Sequence, residues 1–231
     1  MIHQGMIKMK RLNIFVDETG GFGFGEGTSR LYGISFVFHE QDNDISNEIN
    51  NLNNRLAKLK YHNMIHTAAL VINKGEYKSI NAPIRKSIFN AIYTFTKRVD
   101  AKYYTIIIDK NYINNNKTLK KHIALEINKM INNNLDYFNK FDKIIIYYDN
   151  GQIPLGKIID SEFSAFNTKH IIDFDHTEKK LFQVADMLTF IDKYNYKEKH
   201  NISITKAEKY FFEDNEMRKI IKRIESKRLY H

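Results

Sequence analysis

The feature that most constrains this chain is a recurring couplet. A short run of β-forming residues closes on an acid, and a segment with apolar residues at helical spacing follows. Arg11 to Val16 closes on Asp17-Glu18, Tyr103 to Ile108 on Asp109, and Lys143 to Tyr148 on Asp149. Leu119, Ile123, Ile127, Met130 and Ile131 follow the second run at helical spacing, and Leu155, Ile159, Phe163 and Phe166 follow the third. Such alternation predicts an α/β fold in which a mixed sheet is flanked by helices. The first run is different, because glycines at 20, 21, 23, 25 and 27 lead straight into the apolar stretch Leu31 to Phe38. These two runs are expected to pair as antiparallel strands across a long loop.

Elsewhere the pattern is helical. Ile45, Ile49, Leu52, Leu56 and Leu59 share one stripe, and Pro83 opens a segment whose Ile84, Ile88, Ile92 and Phe95 carry a helix to about Arg98. Met64 to Ile72 fits strand and helix equally. A short strand is expected at His170 to Phe174, a helix over Glu178 to Lys193, and one or two amphipathic helices from Thr205 onward. The expected organisation is an N-terminal extension (1–10), one domain (11–193) and a basic helical extension packed on it (194–231), since 231 residues fit a single large domain.

Composition removes several classes of function. There is no cysteine, so a disulfide framework, a thiolate zinc site and a cysteine nucleophile are excluded, and a reducing cytoplasmic setting fits. No apolar run reaches the ~18–20 residues of a membrane span, and no export signal is read at the start. Lys and Arg outnumber Asp and Glu by 36 to 27, a formal net charge of +9 that favours anionic partners, nucleic acid among them. The stretch Lys193 to His231 is basic as well, although charged helices are often simply solvated.

Three acids at the ends of three strands can converge, because ligands of open α/β sheets bind beyond the carboxyl ends of the strands. Acids packed together stay ionised only beside a cation, and hard oxygen donors select Mg²⁺ or Mn²⁺. A fourth acid, Asp186, lies in a segment apolar on almost every side, with Gln183 one turn before it. A carboxylate there requires a cation or hydrogen-bond donors.

Asp17-Glu18-Thr19-Gly20, the strand ending in Asp149, and Gln183-Val184-Ala185-Asp186 resemble the bacterial domain-of-unknown-function family 3800, over roughly Leu12 to Asp192. The family's usual opening is Asp-Glu-Ser-Gly and its usual closing motif Gln-Leu-Ala-Asp, so Thr19 and Val184 depart from it conservatively. The resemblance implies a ribonuclease H-like mixed sheet with a divalent-metal site for phosphodiester cleavage, and a phage-defence or mobile-element setting. Asp17, Asp149 and Asp186 are the expected ligands and catalytic acids. Glu18 and Asp109 stand second, Glu18 because strand alternation turns it away from Asp17, and Asp109 because it can cap the following loop.

Other residues carry two readings each. Gln183 fits substrate contact or a backbone hydrogen bond. Phe22 and Phe24 in the glycine loop fit base stacking or hairpin packing. His62 and His66 have helical zinc spacing, but Asn63 replaces the Glu that a zinc protease needs, leaving His66 as a substrate contact, ligand or proton shuttle. His170, Asp173, Asp175 and His176 precede the Asp186 helix, where Asp175 fits the site or a helix cap. The glycine run has no Gly-Lys-Ser/Thr ending, which argues against a nucleotide P-loop. The expected activity is a metal-dependent nuclease acting on RNA or DNA. The alternatives are a non-catalytic nucleic-acid-binding or adaptor module with a protein partner or a second copy, and a hydrolase of small phosphate esters.

Overall fold

Strict alternation sets how the first strand sits. Along β1 (Arg11–Thr19), Leu12, Ile14 and Val16 enter one hydrophobic cluster while Phe15 enters another on the opposite face. A computed structural model describes residues 9–175, 179–213 and 215–229. Within them β2 (Leu31–Glu40) returns antiparallel to β1 across the glycine loop, as expected, with Asp17 opposite Ser35 and Thr19 opposite Gly33.

The chain then leaves the sheet through α1 (Ser46–Lys58), α2 (Thr67–Ile72) and α3 (Ala82–Arg98), whose first turn holds Pro83 and is capped by the Asn81 side chain. It re-enters as β3 (Lys102–Asp109), antiparallel to β2. Next come α4 (Asn116–Asn133), the short α5 (Leu135–Phe138), β4 (Lys143–Tyr147), α6 (Ile153–Glu162) and β5 (Thr168–Ile171). The last helices are α7 (Lys180–Lys199), α8 (Lys206–Phe211) and α9 (Glu216–Ile224). The strand order is β3-β2-β1-β4-β5, with β4 parallel to β1 and β5 parallel to β4. The fold is therefore α/β, a mixed sheet with helices on both faces. Among the described residues no helix is long and apolar enough to cross a membrane.

Covering both faces explains why β2 is buried almost throughout. On one side α4, α5 and α6 supply Leu119, Ile123, Ile127, Phe138, Leu155 and Ile159. On the other, α1, α3 and α7 supply Leu52, Leu56, Ile88, Phe89, Leu181 and Leu188. Truncating a fully buried β2 phenylalanine such as Phe36 to Ala would cost ~3–5 kcal/mol. The same core takes in Phe211, Met217 and Ile220 from α8 and α9.

Helix α7 is buried on nearly every side, in keeping with its sequence. It comes close to the sheet because β2 carries Gly33, where an added Cβ would stand 2.9 Å from Thr189 Cγ2. Three boundaries differ from expectation, the first being α6, which ends at Glu162 although Phe163 and Phe166 beyond it still pack on each other. β5 ends at Ile171 because Phe174 leaves the sheet to pack against Tyr147 and Phe182. α7 runs on to Lys199 because Tyr194 continues its apolar face against Phe212. Met1 to Lys8, His176, Glu178 and the terminal Tyr230 and His231 lie outside the described residues, and with them most of the expected N-terminal extension and the expected start of α7.

Candidate active site at one end of the sheet

β1 and β4 run parallel with Phe15 opposite Tyr147, and the two rings stack with centroids 4.7 Å apart. Two residues beyond each lie Asp17 and Asp149. Alternation keeps Asp17 on the Phe15 face, the face that α7 covers, and turns Glu18 to the other. α7 crosses β1 and β2 and brings Asp186 to this end of the sheet. All four acids keep part of their residue surface exposed.

The electrostatics are those of crowded negative charge. Burial raises the Asp17 carboxyl well above the ordinary carboxylate range, and the charges of Asp186, Glu18 and Asp149 raise it further. Burial likewise raises Asp186, but there donors oppose the shift. The Thr67 N–H donates to Asp186 Oδ2 at 2.6 Å, and the His66 imidazole adds favourable charge. Glu18 is pushed up to about 7, first by burial and then by Asp149, while hydrogen bonds from Tyr148 and Gln152 pull it down.

Gln152 knits this side together. Its Nε2 donates to the Gly20 carbonyl at 2.8 Å and its Oε1 accepts from the Tyr32 hydroxyl at 3.2 Å. Gly151 is the point where two acids meet, since a Cβ there would lie 3.0 Å from Glu18 Oε1 and 3.3 Å from Asp149 Oδ1. Any side chain at 151 would press on both carboxylates.

The structure therefore places Glu18, Asp149 and Asp186 within electrostatic reach of Asp17, and His66 within reach of Asp186. It does not gather Asp109. β2 separates β3 from β1, and Arg30 grips both Asp109 oxygens, with its Nη2 donating to Oδ2 at 2.6 Å. Hydrogen bonding to Arg30 holds that carboxyl below its ordinary range, so Asp109 is an ion-paired strand end rather than a member of the cluster.

Of its two readings, Gln183 shows the backbone hydrogen bond. It is fully buried, and its Oε1 accepts the Ile65 N–H at 3.3 Å. Together Gln183 and Asp186 hold residues 65 to 67 against α7. Phe22 is half-buried against Tyr32, as hairpin packing requires, whereas Phe24 keeps an exposed face with the Lys110 ammonium 5.3 Å from its ring centroid. His170 pairs with Asp160 at 2.9 Å. The Asp175 carbonyl accepts the Lys179 N–H, a contact at the entry to α7. Tyr32, Tyr148 and Gln152 were missed by sequence reasoning, although Tyr148 and Gln152 flank Asp149 directly.

The donor set, all carboxylate oxygens with one imidazole, suits a hard divalent cation. Among the described residues no three His, Asp or Glu side chains stand within coordination reach of one common point. Mutual repulsion drives carboxylates apart, and a divalent cation between them would reverse it. A scan against protein-family models finds none that matches the chain, and a search of curated proteins finds no match.

Proposed function

We propose that the protein is a divalent-metal-dependent nuclease of ribonuclease H-like architecture that hydrolyses phosphodiester bonds of RNA or DNA, as its resemblance to family 3800 implies. One observation carries the reading. Asp17 is largely buried with its strongest charge neighbours all negative, an arrangement that costs stability and that a bound cation would repay. Two others support it: a strand order with β2 alone reversed, consistent with that architecture, and a net charge of +9 suited to a polyanion.

In this reading Asp17, Asp149 and Asp186 hold Mg²⁺ or Mn²⁺, which activates water and neutralises developing charge when bound. The remaining groups handle protons and position. Glu18, pushed up to about 7, can exchange a proton near neutral pH at its carboxyl oxygens, held in place by Tyr148 and Gln152. His66, beside Asp186, is placed to carry a proton to or from the same space. Gln183 fixes the 65–67 segment that presents it.

The test is cleavage of end-labelled DNA and RNA by purified protein with Mg²⁺ or Mn²⁺. Products that depend on the metal and vanish in Asp149→Asn and Asp186→Asn support the assignment, and undiminished cleavage by those variants refutes it. A second reading, a binding or adaptor module that cleaves nothing, is favoured by one observation, the spacing of the acids beyond common coordination reach among the described residues. Salt-sensitive nucleic-acid binding without product under any divalent metal would select it.

A further inference from the structure

We propose that Lys110 and Lys193 form a phosphate-binding subsite beside the acid cluster, taking a backbone phosphate of the nucleic-acid strand. The polymer named here rests on the nuclease reading, whereas the anion site stands on the geometry that follows. Lys110 comes directly after β3, and its ammonium donates to the Gly21 carbonyl at 3.0 Å and the Gly23 carbonyl at 2.7 Å. Only 6% of the residue is exposed, its cover being the glycine loop. Lys193 stands seven residues after Asp186 on the same stripe of α7, about 10 Å along the helix at 1.5 Å per residue. Its ammonium donates to Ser29 Oγ at 3.3 Å, and that hydroxyl in turn donates to the Leu31 carbonyl.

Neighbouring cations have acids of their own: Arg30 has Asp109, and Lys197 has Glu208 at 2.7 Å. Among the described residues neither Lys110 nor Lys193 has one. Burial first, then the charges of Lys197 and Lys110, pull the Lys193 ammonium down to about 8 against the opposing pull of Glu208. Two covered, mutually repelling ammonium groups with N–H donors to spare are stabilised by an anion between them. The glycine loop joins both halves of the site, since Gly20 bonds Gln152 beside Glu18 while Gly21 and Gly23 bond Lys110.

The experiment is fluorescence anisotropy of labelled single-stranded RNA and DNA with the full chain in chelator, across about 50–200 mM salt. Lys110→Gln and Lys193→Gln are each expected to weaken binding about fivefold and to lower the salt slope by about 0.7, with Lys193→Arg close to wild type. The thermal midpoint of Lys193→Gln should match or exceed wild type, since it removes a charge with no ion-pair partner among the described residues, whereas Lys110→Gln should lower it slightly by breaking the bonds to the Gly21 and Gly23 carbonyls. Unchanged affinity and slope in both Gln variants would overturn the proposal, as would a wild-type protein that binds no oligonucleotide. Stabilisation by inorganic phosphate without oligonucleotide binding, lost in the variants, would overturn the strand assignment and point to small phosphate esters. Chelator removes cleavage from the readout, so the lysine site and the nuclease reading fail separately.

Discussion

Asp17 and Asp109 occupy matching places with opposite outcomes. Each lies near the end of an apolar strand, and because β1 and β3 both run antiparallel to β2, the two residues lie at the same end of the sheet. Asp109 meets Arg30, delivered by the residue just before β2, and its carboxyl falls below the ordinary range. Asp17 meets Glu18, Asp149 and Asp186, and its carboxyl rises well above it. A strand-end acid is thus structural where the protein supplies the cation and becomes a candidate site where only acids converge. Position in the sheet creates the opportunity, and the neighbouring loop decides the use.

The comparison can be broken most forcefully through activity. Asp149→Asn and Asp186→Asn should each lower metal-dependent cleavage on the order of 100-fold or more, while Asp109→Asn should stay within about threefold of wild type. Equal losses at Asp109 and Asp149 would erase the distinction.

Stability against pH sharpens it next. The Glu18 carboxyl, raised from 4.5 to about 7 in the folded chain, holds a proton that the unfolded chain releases. Without divalent metal, stability should therefore fall as pH rises from about 4.5 to about 7, by up to ~3 kcal/mol, and then level off. Glu18→Gln should flatten that decline in urea unfolding curves. Asp109, with a lowered carboxyl, runs the other way: its stabilisation is present above the ordinary 3.8 and is lost as pH falls through its folded value.

Paired neutral substitutions form the third test. In chelator at neutral pH, Asp17→Asn should raise stability by about 1 kcal/mol by removing a repelled charge. Asp109→Asn should lower it by about 1 kcal/mol by leaving Arg30 with a neutral partner. Thermal unfolding of the two variants checks both signs. The smallest effect concerns Phe24, whose exposed ring beside Lys110 should, on truncation to Ala, weaken oligonucleotide binding by less than about threefold.

Strong local patterns made much of this fold legible. The three Asp-closed runs, the hairpin across the glycines and the helices of α1, α3 and α4 follow from periodicity and turn chemistry alone. The stretch Met64 to Ile72 did not. Its shape comes from tertiary contacts, with Gln183 taking the Ile65 N–H and Asp186 the Thr67 N–H, and only six residues form the helix that follows. Asp109 stands second to Asp17 because it can cap the following loop, as its bond from the Asn111 N–H shows, but sequence does not show that β2 would lie between their strands or that Arg30 would be in reach. The proposed lysine subsite was invisible for the same reason, since Lys110 reaches Gly21 and Gly23 and Lys193 reaches Ser29 only once the chain has folded. What sequence signalled well was chemistry bound to a regular element, and what it hid was the partner across the fold.

The most direct measurement is calorimetric titration of Mn²⁺ into the full chain near neutral pH, in two buffers of different ionisation enthalpy. The account predicts binding accompanied by proton release, because carboxyls raised by burial and mutual repulsion give up protons to a cation. It also predicts loss of that binding in Asp17→Asn and Asp186→Asn and its retention in Asp109→Asn. Absence of Mn²⁺ binding by the wild-type chain, or binding that Asp17→Asn leaves intact, would contradict it.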